Sequence, residues 1–303
     1  MAALICGSLA FDTITTFPGR FSQQILPDQL HILNVAFLVP ELRREFGGCA
    51  GNIAYSLHQL GGAPVLATLG NDGQGYLARM RSWGIDTGHV TPLEQHYTAQ
   101  AIIITDQDNN QITAFHPGAM QAAGEIPVPR RPDLRIAIIA PDAREAMWTH
   151  AHQLADAGIP FVFDPGQGLP MFDGPELRAF VERATWVAVN DYEGRMLCDR
   201  MGTSLEQLSR SHLQGVIVTL GGEGCDVWIQ GQRHHVPGVQ AEQVLDPTGC
   251  GDAFRAALLS GLEHGWPLLR CVELANRVGA IKIACRGGQN HRLDRATLGL
   301  HPD

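Results

Sequence analysis

The sequence predicts an α/β fold: a doubly wound, mostly parallel sheet flanked by helices, with a small β-rich lid. Three observations support this. Short apolar runs alternate with segments of helical period, two glycine-rich turns each lead into a helix, and two segments break the alternation. The 303 residues are 45% hydrophobic and 17% charged, which is ordinary for a globular enzyme. We therefore expect a single domain over residues 1–303.

The predicted sheet consists of apolar runs of three to five residues, which are typical of strands buried on both faces. These runs are residues 3–6, 65–69, 136–140, 161–163, 186–189 and 216–220. Segments of helical period lie between several of them, at 144–158, 176–184 and 205–212. This order is typical of a parallel sheet with helices on both faces.

Two segments, at about 13–45 and 97–117, depart from the alternation. The first mixes polar and apolar residues and contains three prolines. The second has two strand-like runs, 98–104 and 111–115, on either side of a polar turn at 106–110. No long linker separates these segments from the rest, so we expect them to form a lid inserted into the core domain.

The run Asp-Pro-Thr-Gly-Cys-Gly-Asp at 246–252 directly precedes a segment of helical period. Its glycines free the backbone amides of Gly249, Cys250 and Gly251 to face a ligand, and a helix start favours negative charge. Asp252, in the first turn, could then accept a proton from a nucleophile beside the bound anion. The alternative is an aspartate that only caps a helix.

A second glycine-rich turn, at 46–51, leads into a helix that ends near the glycine pair at 61–62. Here Gly47, Gly48 and Gly51 would bring bare backbone close to a ligand, and Asn52 offers a donor and an acceptor that suit a polyhydroxylated substrate. Close packing of helices is the alternative explanation for these glycines.

The two motifs, in this order and about 200 residues apart, resemble the signatures of the ribokinase-like (PfkB) carbohydrate and nucleoside kinases. That family transfers the γ-phosphate of ATP to a primary hydroxyl. Within it, further motifs resemble those of bacterial adenosine kinases. They lie at residues 7–12, 17–22, 26–27, 115–120, 164–165, 190–193 and 219–221.

The resemblance implies roles for residues that would hold the acceptor. Asp12 would accept hydrogen bonds from the ribose 2′- and 3′-hydroxyls, and Phe115 would stack on the base. The complete set for the acceptor is Ser8, Asp12, Gly47, Gly48, Asn52 and Phe115. Ala36 and Ala101 are small where such kinases more often have a hydroxyl or an aromatic ring, which would weaken discrimination between bases.

The resemblance also implies a nucleotide site. Its residues would be Asn190, Thr219, Gly221, Gly224 and Asn276. Glu193 would act on Mg²⁺ through water, since magnesium gives up its hydration reluctantly. A monovalent cation such as K⁺ is common in relatives, near Asp246 and the loop 286–288. For Asn190 and Glu193, the alternative is a helix cap.

The overall charge limits the classes of partner. A net charge of −9 and an isoelectric point near 5.8 disfavour nucleic acid and anionic membranes. The start of the sequence has no charged leader with an apolar core, so we expect a cytoplasmic protein, either monomer or homodimer. The seven cysteines lack Cys-x-x-Cys spacing and are expected to be reduced. The histidines at 150, 152, 234 and 235 are expected on exposed faces and not on a metal.

The sequence thus predicts an ATP-dependent kinase acting on the 5′-hydroxyl of a ribonucleoside. Adenosine is the leading acceptor, and inosine, guanosine or cytidine could also be admitted. Two alternatives stay open: a sugar kinase acting on ribose or a related ketose, and a non-catalytic nucleoside sensor. A dinucleotide-dependent oxidoreductase is disfavoured, because residues 7–12 lack the pattern Gly-x-Gly-x-x-Gly.

Overall fold

Two β-sheets and eight α-helices are present in the computed structural model, which describes residues 2–25, 34–108 and 110–300. Leu26 and Pro27, part of one predicted motif, lie outside these residues. The strands are β1 (Ala2–Cys6), β2 (Ala10–Thr16), β3 (Glu41–Gly47), β4 (Val65–Gly70), β5 (Val90–Leu93), β6 (Ala99–Thr105), β7 (Gln111–His116), β8 (Leu134–Ile139), β9 (Phe161–Phe163), β10 (Trp186–Asn190), β11 (Gly215–Thr219), β12 (Gly224–Ile229) and β13 (Gln232–Pro237). The helices are α1 (Cys49–His58), α2 (Gln74–Ser82), α3 (Arg144–Asp156), α4 (Gly174–Val181), α5 (Asp191–Met201), α6 (Leu205–Ser209), α7 (Cys250–Glu263) and α8 (Leu268–Ile283).

The large sheet has nine strands in the order β13-β12-β11-β10-β9-β8-β1-β4-β5. Every pair from β11 to β5 is parallel, and β12 and β13 add an antiparallel edge. Its central strands are buried on both faces: α1, α7 and α8 contribute to the core on one side, and α3, α4 and α5 to the core on the other. The predicted doubly wound, mostly parallel fold is confirmed.

The small sheet has four strands in the order β3-β2-β6-β7 and contains the two segments that break the alternation. Alternate side chains point to opposite faces. Ala101 and Phe115, on neighbouring strands, face a cavity between the small sheet and the carboxyl edge of the large one. Ile102 and Ile112 point away from that cavity and are exposed.

Glycine is required where α1 and α7 begin. Gly48, the residue before α1, has φ of 83°, and a Cβ atom there would lie 2.6 Å from the Ala10 amide nitrogen. Gly249, before α7, has φ of 76°, and a Cβ there would lie 2.9 Å from the Gly288 Cα. Both motifs therefore use glycine for a left-handed turn and a close backbone approach.

Two local expectations were wrong. The helix predicted over 205–212 ends at Ser209, and the chain then turns towards β11. His150, expected on an exposed helix face, is buried, and its Nε2 lies 2.9 Å from the carbonyl oxygen of Ile126. His150 is buried because the loop that contains Ile126 packs on α3. Within the described residues, no helix is both long enough and apolar enough to cross a bilayer.

Candidate active site

Three adjoining cavities form one groove along the carboxyl edge of the large sheet. The small-sheet cavity, of about 600 Å³, is lined by Ser8, Asp12, Gly48, Asn52, Ala101, Phe115, Asp142 and Asp252, among others. The central cavity is lined by Asp164, Asn190, Glu193, Thr219, Gly251, Asp252 and Arg255, among others. The α8 cavity, of about 570 Å³, is lined by Thr219, Gly221, Gly224, Cys250, Gly251 and Asn276, among others. Asp252 lines the first two cavities, and Gly251 and Thr219 line the last two.

The start of α7 presents free backbone donors at the middle of this groove. Within the described residues, the amides of Gly249, Gly251 and Asp252 make no hydrogen bond. The Cys250 amide, which the sequence placed with them, instead donates to the Pro247 carbonyl at 3.1 Å. The free amides and the helix dipole make this turn suited to an anion.

Asp252 is the third residue of α7, and its carboxylate lies where the small-sheet and central cavities meet. Its Oδ2 accepts a hydrogen bond of 2.8 Å from the side-chain amide of Asn52. Burial raises the pKa of Asp252 to about 6, although the Asn52 hydrogen bond favours the charged form. The carboxylate is therefore mostly ionised at neutral pH but basic enough to take a proton.

Asn52 has a different set of contacts from the one the sequence predicted. Its Nδ2 donates to Asp252, and its Oδ1 accepts from the Gln289 side chain at 3.1 Å. Gln289 also donates to the Tyr76 hydroxyl at 2.7 Å, and Tyr76 donates to the Gly47 carbonyl at 2.6 Å. This buried chain of hydrogen bonds orients Asn52 and, through it, Asp252. Nothing in the sequence around Gln289 indicates this role.

Arg255, one turn after Asp252, brings a positive charge to the central cavity. It is almost fully buried, and it makes two hydrogen bonds of 3.0 Å to the carboxylate of Asp164. A buried charge requires such a partner. Arg255 was not predicted from the sequence, although a charged residue on the otherwise apolar face of a helix was an available signal.

Asp12 and Ser8 line the small-sheet cavity, whereas Gly47 lies beside the Asp12 carboxylate and is not among the lining residues. Asp12 lies within β2 and not directly after β1 as expected, and burial, followed by the charge of Glu45, raises its pKa. A Cβ on Gly47 would lie 2.5 Å from the Asp12 carboxylate, so the glycine makes room for that side chain. The Ser8 hydroxyl accepts from the Cys49 amide at 3.3 Å and thus caps α1.

The same cavity contains a further carboxyl group, which was not predicted from the sequence. Asp142 is buried after β8, and its Oδ1 accepts from the Ala143 amide at 2.8 Å. Within the described residues, its Oδ2 has no hydrogen-bond partner. Burial raises the pKa of Asp142 to about 7. A buried polar atom without a partner, on a residue that lines a cavity, is suited to a ligand hydrogen bond.

The remaining predicted residues are divided between the cavities. Asn190 and Glu193 line the central cavity but also form a reciprocal cap at the start of α5, with bonds of 2.8 and 2.7 Å. Asn276 lines the α8 cavity and donates to the Pro237 carbonyl at 3.1 Å. Phe115 lines the small-sheet cavity, whereas Ala36 is exposed and is not among its lining residues. The expectation that Ala36 borders the base pocket was wrong.

Comparison with known proteins decides the family. Residues 22–295 match the family described as pfkB family carbohydrate kinase. The chain belongs to this family. This pfkB-family chain is therefore a phosphotransferase with a hydroxyl group as acceptor, and the resemblance inferred from the two glycine motifs is confirmed. Membership favours the enzyme over the non-catalytic sensor.

Several relatives of this pfkB-family chain are nucleoside kinases. The Burkholderia thailandensis nucleoside kinase in complex with inosine is 49% identical, with a TM-score of 0.87 over 98% of this chain and 95% of that one. The Methanocaldococcus jannaschii nucleoside kinase is 28% identical over 261 residues, 85% of each chain. A fructokinase from Escherichia coli is 27% identical over 266 residues, 80% of this chain and 86% of that protein. The B. thailandensis enzyme is also known in complex with ADP-inosine.

Proposed function

We propose that this chain phosphorylates the 5′-hydroxyl of ribonucleosides with ATP and accepts more than one base, adenosine and inosine among them. The observation that carries the proposal is the position of Asp252. It lies between the small-sheet cavity, which has groups suited to hydroxyls, and the central cavity, which has free amides, so an acceptor hydroxyl and a phosphoryl group would meet there. The similarity to a nucleoside kinase that binds inosine supports this choice of acceptor.

The geometry supports a direct transfer of the phosphoryl group. Asp252 takes the proton of the 5′-hydroxyl while the oxygen forms a bond to the γ-phosphorus, and the bond from that phosphorus to the bridging oxygen of ADP breaks. The amides of Gly249 and Gly251 stabilise the charge on the transferred group. Asp12 accepts hydrogen bonds from the ribose, and the small sheet acts as a lid that excludes water. The product is a nucleoside 5′-monophosphate.

The proposal includes Mg²⁺, which would neutralise charge on the phosphates. Within the described residues, no group of three or more acidic, histidine or cysteine side chains could hold a metal ion. One carboxylate oxygen of Glu193 accepts a hydrogen bond from the Asn190 amide. The other oxygen is available to a ligand in the central cavity. These side chains fit a hydrated ion carried by the nucleotide, with Glu193 reaching it through water.

We expect the rate to depend on the ionisation of Asp252. A protonated Asp252 cannot accept the hydroxyl proton, so kcat/KM should fall as the pH drops through about 6 and stay level above it. Asn52→Leu removes a hydrogen bond that favours the charged form of Asp252. In this variant, the fall in kcat/KM (the acidic limb of the pH profile) should therefore occur at higher pH. The measurement is kcat/KM for inosine against pH. Asp142→Asn is the control: if it abolishes the limb, the titrating group is Asp142.

Specificity provides the test of the proposed function. The base contacts Phe115, which is 52% exposed, and small side chains such as Ala101. Apolar contact of this kind separates similar rings by only about 1–3 kcal/mol. The ribose hydroxyls bind the carboxylate of Asp12. Leaving this charged group without its hydrogen-bond partner costs more free energy than exchanging one apolar contact for another. Removing the 2′- or 3′-hydroxyl should therefore lower kcat/KM more than exchanging adenine for hypoxanthine.

The measurement is ADP formation with adenosine, inosine, 2′-deoxyadenosine, 3′-deoxyadenosine, ribose and fructose, each with and without chelation of magnesium. Deoxyadenosines that outperform inosine would show that the base governs recognition. A higher kcat/KM for ribose or fructose than for any nucleoside would establish the sugar kinase instead.

A further inference from the structure

Lys282 is the only lysine in the chain. All the other residues among its 22 lysines and arginines are arginine. It lies in the last turn of α8 and is completely buried. Lysine is almost never fully buried unless its charge has partners. The one lysine of this sequence is therefore placed at a costly position, beside the loop that leads into α7.

The partners of this ammonium are backbone carbonyls. Its Nζ donates to the carbonyl oxygen of Asp246 at 2.8 Å and to that of Cys285 at 3.0 Å. Within the described residues, it forms no salt bridge with a carboxylate. The Asp246 side chain accepts from the amides of Thr248 and Gly287, at 2.9 and 2.8 Å. Lys282 and Asp246 together join the motif at 246–252 to the loop after α8.

A monovalent cation is expected at this place from the family resemblance, and the residues present do not fit one. Such a cation needs oxygen ligands, and the carbonyls of Asp246 and Cys285 are already bound to the ammonium. A second positive charge beside a buried ammonium would also be repelled strongly, because the local dielectric constant is low. The chain has a covalently attached charge where an exchangeable ion was expected.

We propose that the ammonium of Lys282 takes the place of a monovalent cation, so that this kinase needs no K⁺. Lys282 is a positioning residue: it holds the Asp246 carbonyl and thereby the turn whose amides, at Gly249 and Gly251, face the central cavity. The inference rests on the proposed function for its substrate. It concerns the kinase step common to the family and not the identity of the base.

The first experiment uses the unmodified protein. Initial rates with inosine and magnesium ATP are measured in tetramethylammonium chloride and in mixtures with KCl at constant ionic strength. We expect the same kcat and the same KM for ATP in every mixture. A rate that rises with K⁺ and saturates overturns the proposal. No activity in any salt with any nucleoside or sugar would instead contradict the proposed function.

Two variants test the charge. Lys282→Met retains the length of the side chain without the ammonium, and kcat should fall by about tenfold or more, with KM for inosine unchanged. Lys282→Ala leaves space at the carbonyls, and K⁺ but not tetramethylammonium should restore part of its kcat. Arg277→Met, at an exposed arginine of the same helix, is the matched control and should retain full kcat. A folded Lys282→Met variant with the kcat of the original protein overturns the proposal.

Two further measurements do not depend on turnover. In the folded protein, an amine-acylating reagent should modify the terminal amine and leave Lys282 unmodified until the chain unfolds, as read by mass spectrometry of peptides. Rapid acylation of Lys282 in the folded protein overturns its placement.

KCl should raise the melting temperature of Lys282→Ala but not that of the original protein, because a ligand stabilises only the form that binds it. Stabilisation of the original protein by KCl, but not by tetramethylammonium chloride, overturns the proposal.

Discussion

Replacing Asp252 with asparagine should lower kcat by about 10²–10⁴-fold, the usual contribution of a general base. The substitution preserves the shape of the side chain, and its carbonyl oxygen can still accept the hydrogen bond from Asn52. It removes only the group that takes the proton. Nucleoside binding, measured by calorimetry, should therefore be close to that of the original protein.

The matched control for this variant is Glu263→Gln, which removes a carboxylate from the last turn of the same helix, far from the cavities. It should turn over normally. If the folded Asp252→Asn protein also turned over normally, another group would have to be the general base, and Asp142 would be the first residue to examine.

The second large effect is expected from Asp12→Ala. Loss of a hydrogen bond to a charged group costs about 1.5–3 kcal/mol, so kcat/KM for adenosine should fall by the corresponding factor. KM for ATP should not change, because Asp12 lines the small-sheet cavity and not the α8 cavity. The measurement is full kinetics in both substrates for the original protein and the variant.

A second acceptor makes this prediction specific. With 2′-deoxyadenosine, one of the hydroxyls assigned to Asp12 is absent, so the loss caused by Asp12→Ala should shrink. An unchanged loss with the deoxynucleoside would mean that Asp12 acts through the structure of the small sheet. A rise in KM for ATP alone would assign Asp12 to the nucleotide.

The features that the sequence predicted well are those determined by local chemistry. Apolar runs without polar residues require burial on both faces, and the central strands of the large sheet are such runs. Glycines before an apolar period indicate a left-handed turn at a helix start, as found at Gly48 and Gly249. Because the two motifs carried the family resemblance, fold and family followed from them.

The features that the sequence did not predict are contacts between distant segments. Asn52 and Asp252 are 200 residues apart, and Asn52 and Gln289 are 237 apart. No periodicity or spacing relates such residues, since their approach depends on how α1 packs on α7. Asp142 was missed for a related reason: an aspartate after a strand is common, and only the folded cavity shows that one of its oxygens has no partner.

The contacts of the segment 284–300 with α1 set the order in which this protein can become active during its synthesis. Tyr55 donates to the His291 carbonyl at 2.6 Å, and Gln289 binds Asn52. On the ribosome, α1 is made long before these partners, and so is every strand of both sheets. A nascent chain that already contains Asp252 still lacks the residues that orient Asn52. Catalytic competence should therefore arise only after residues 284–300 have left the ribosome and packed against the first helix.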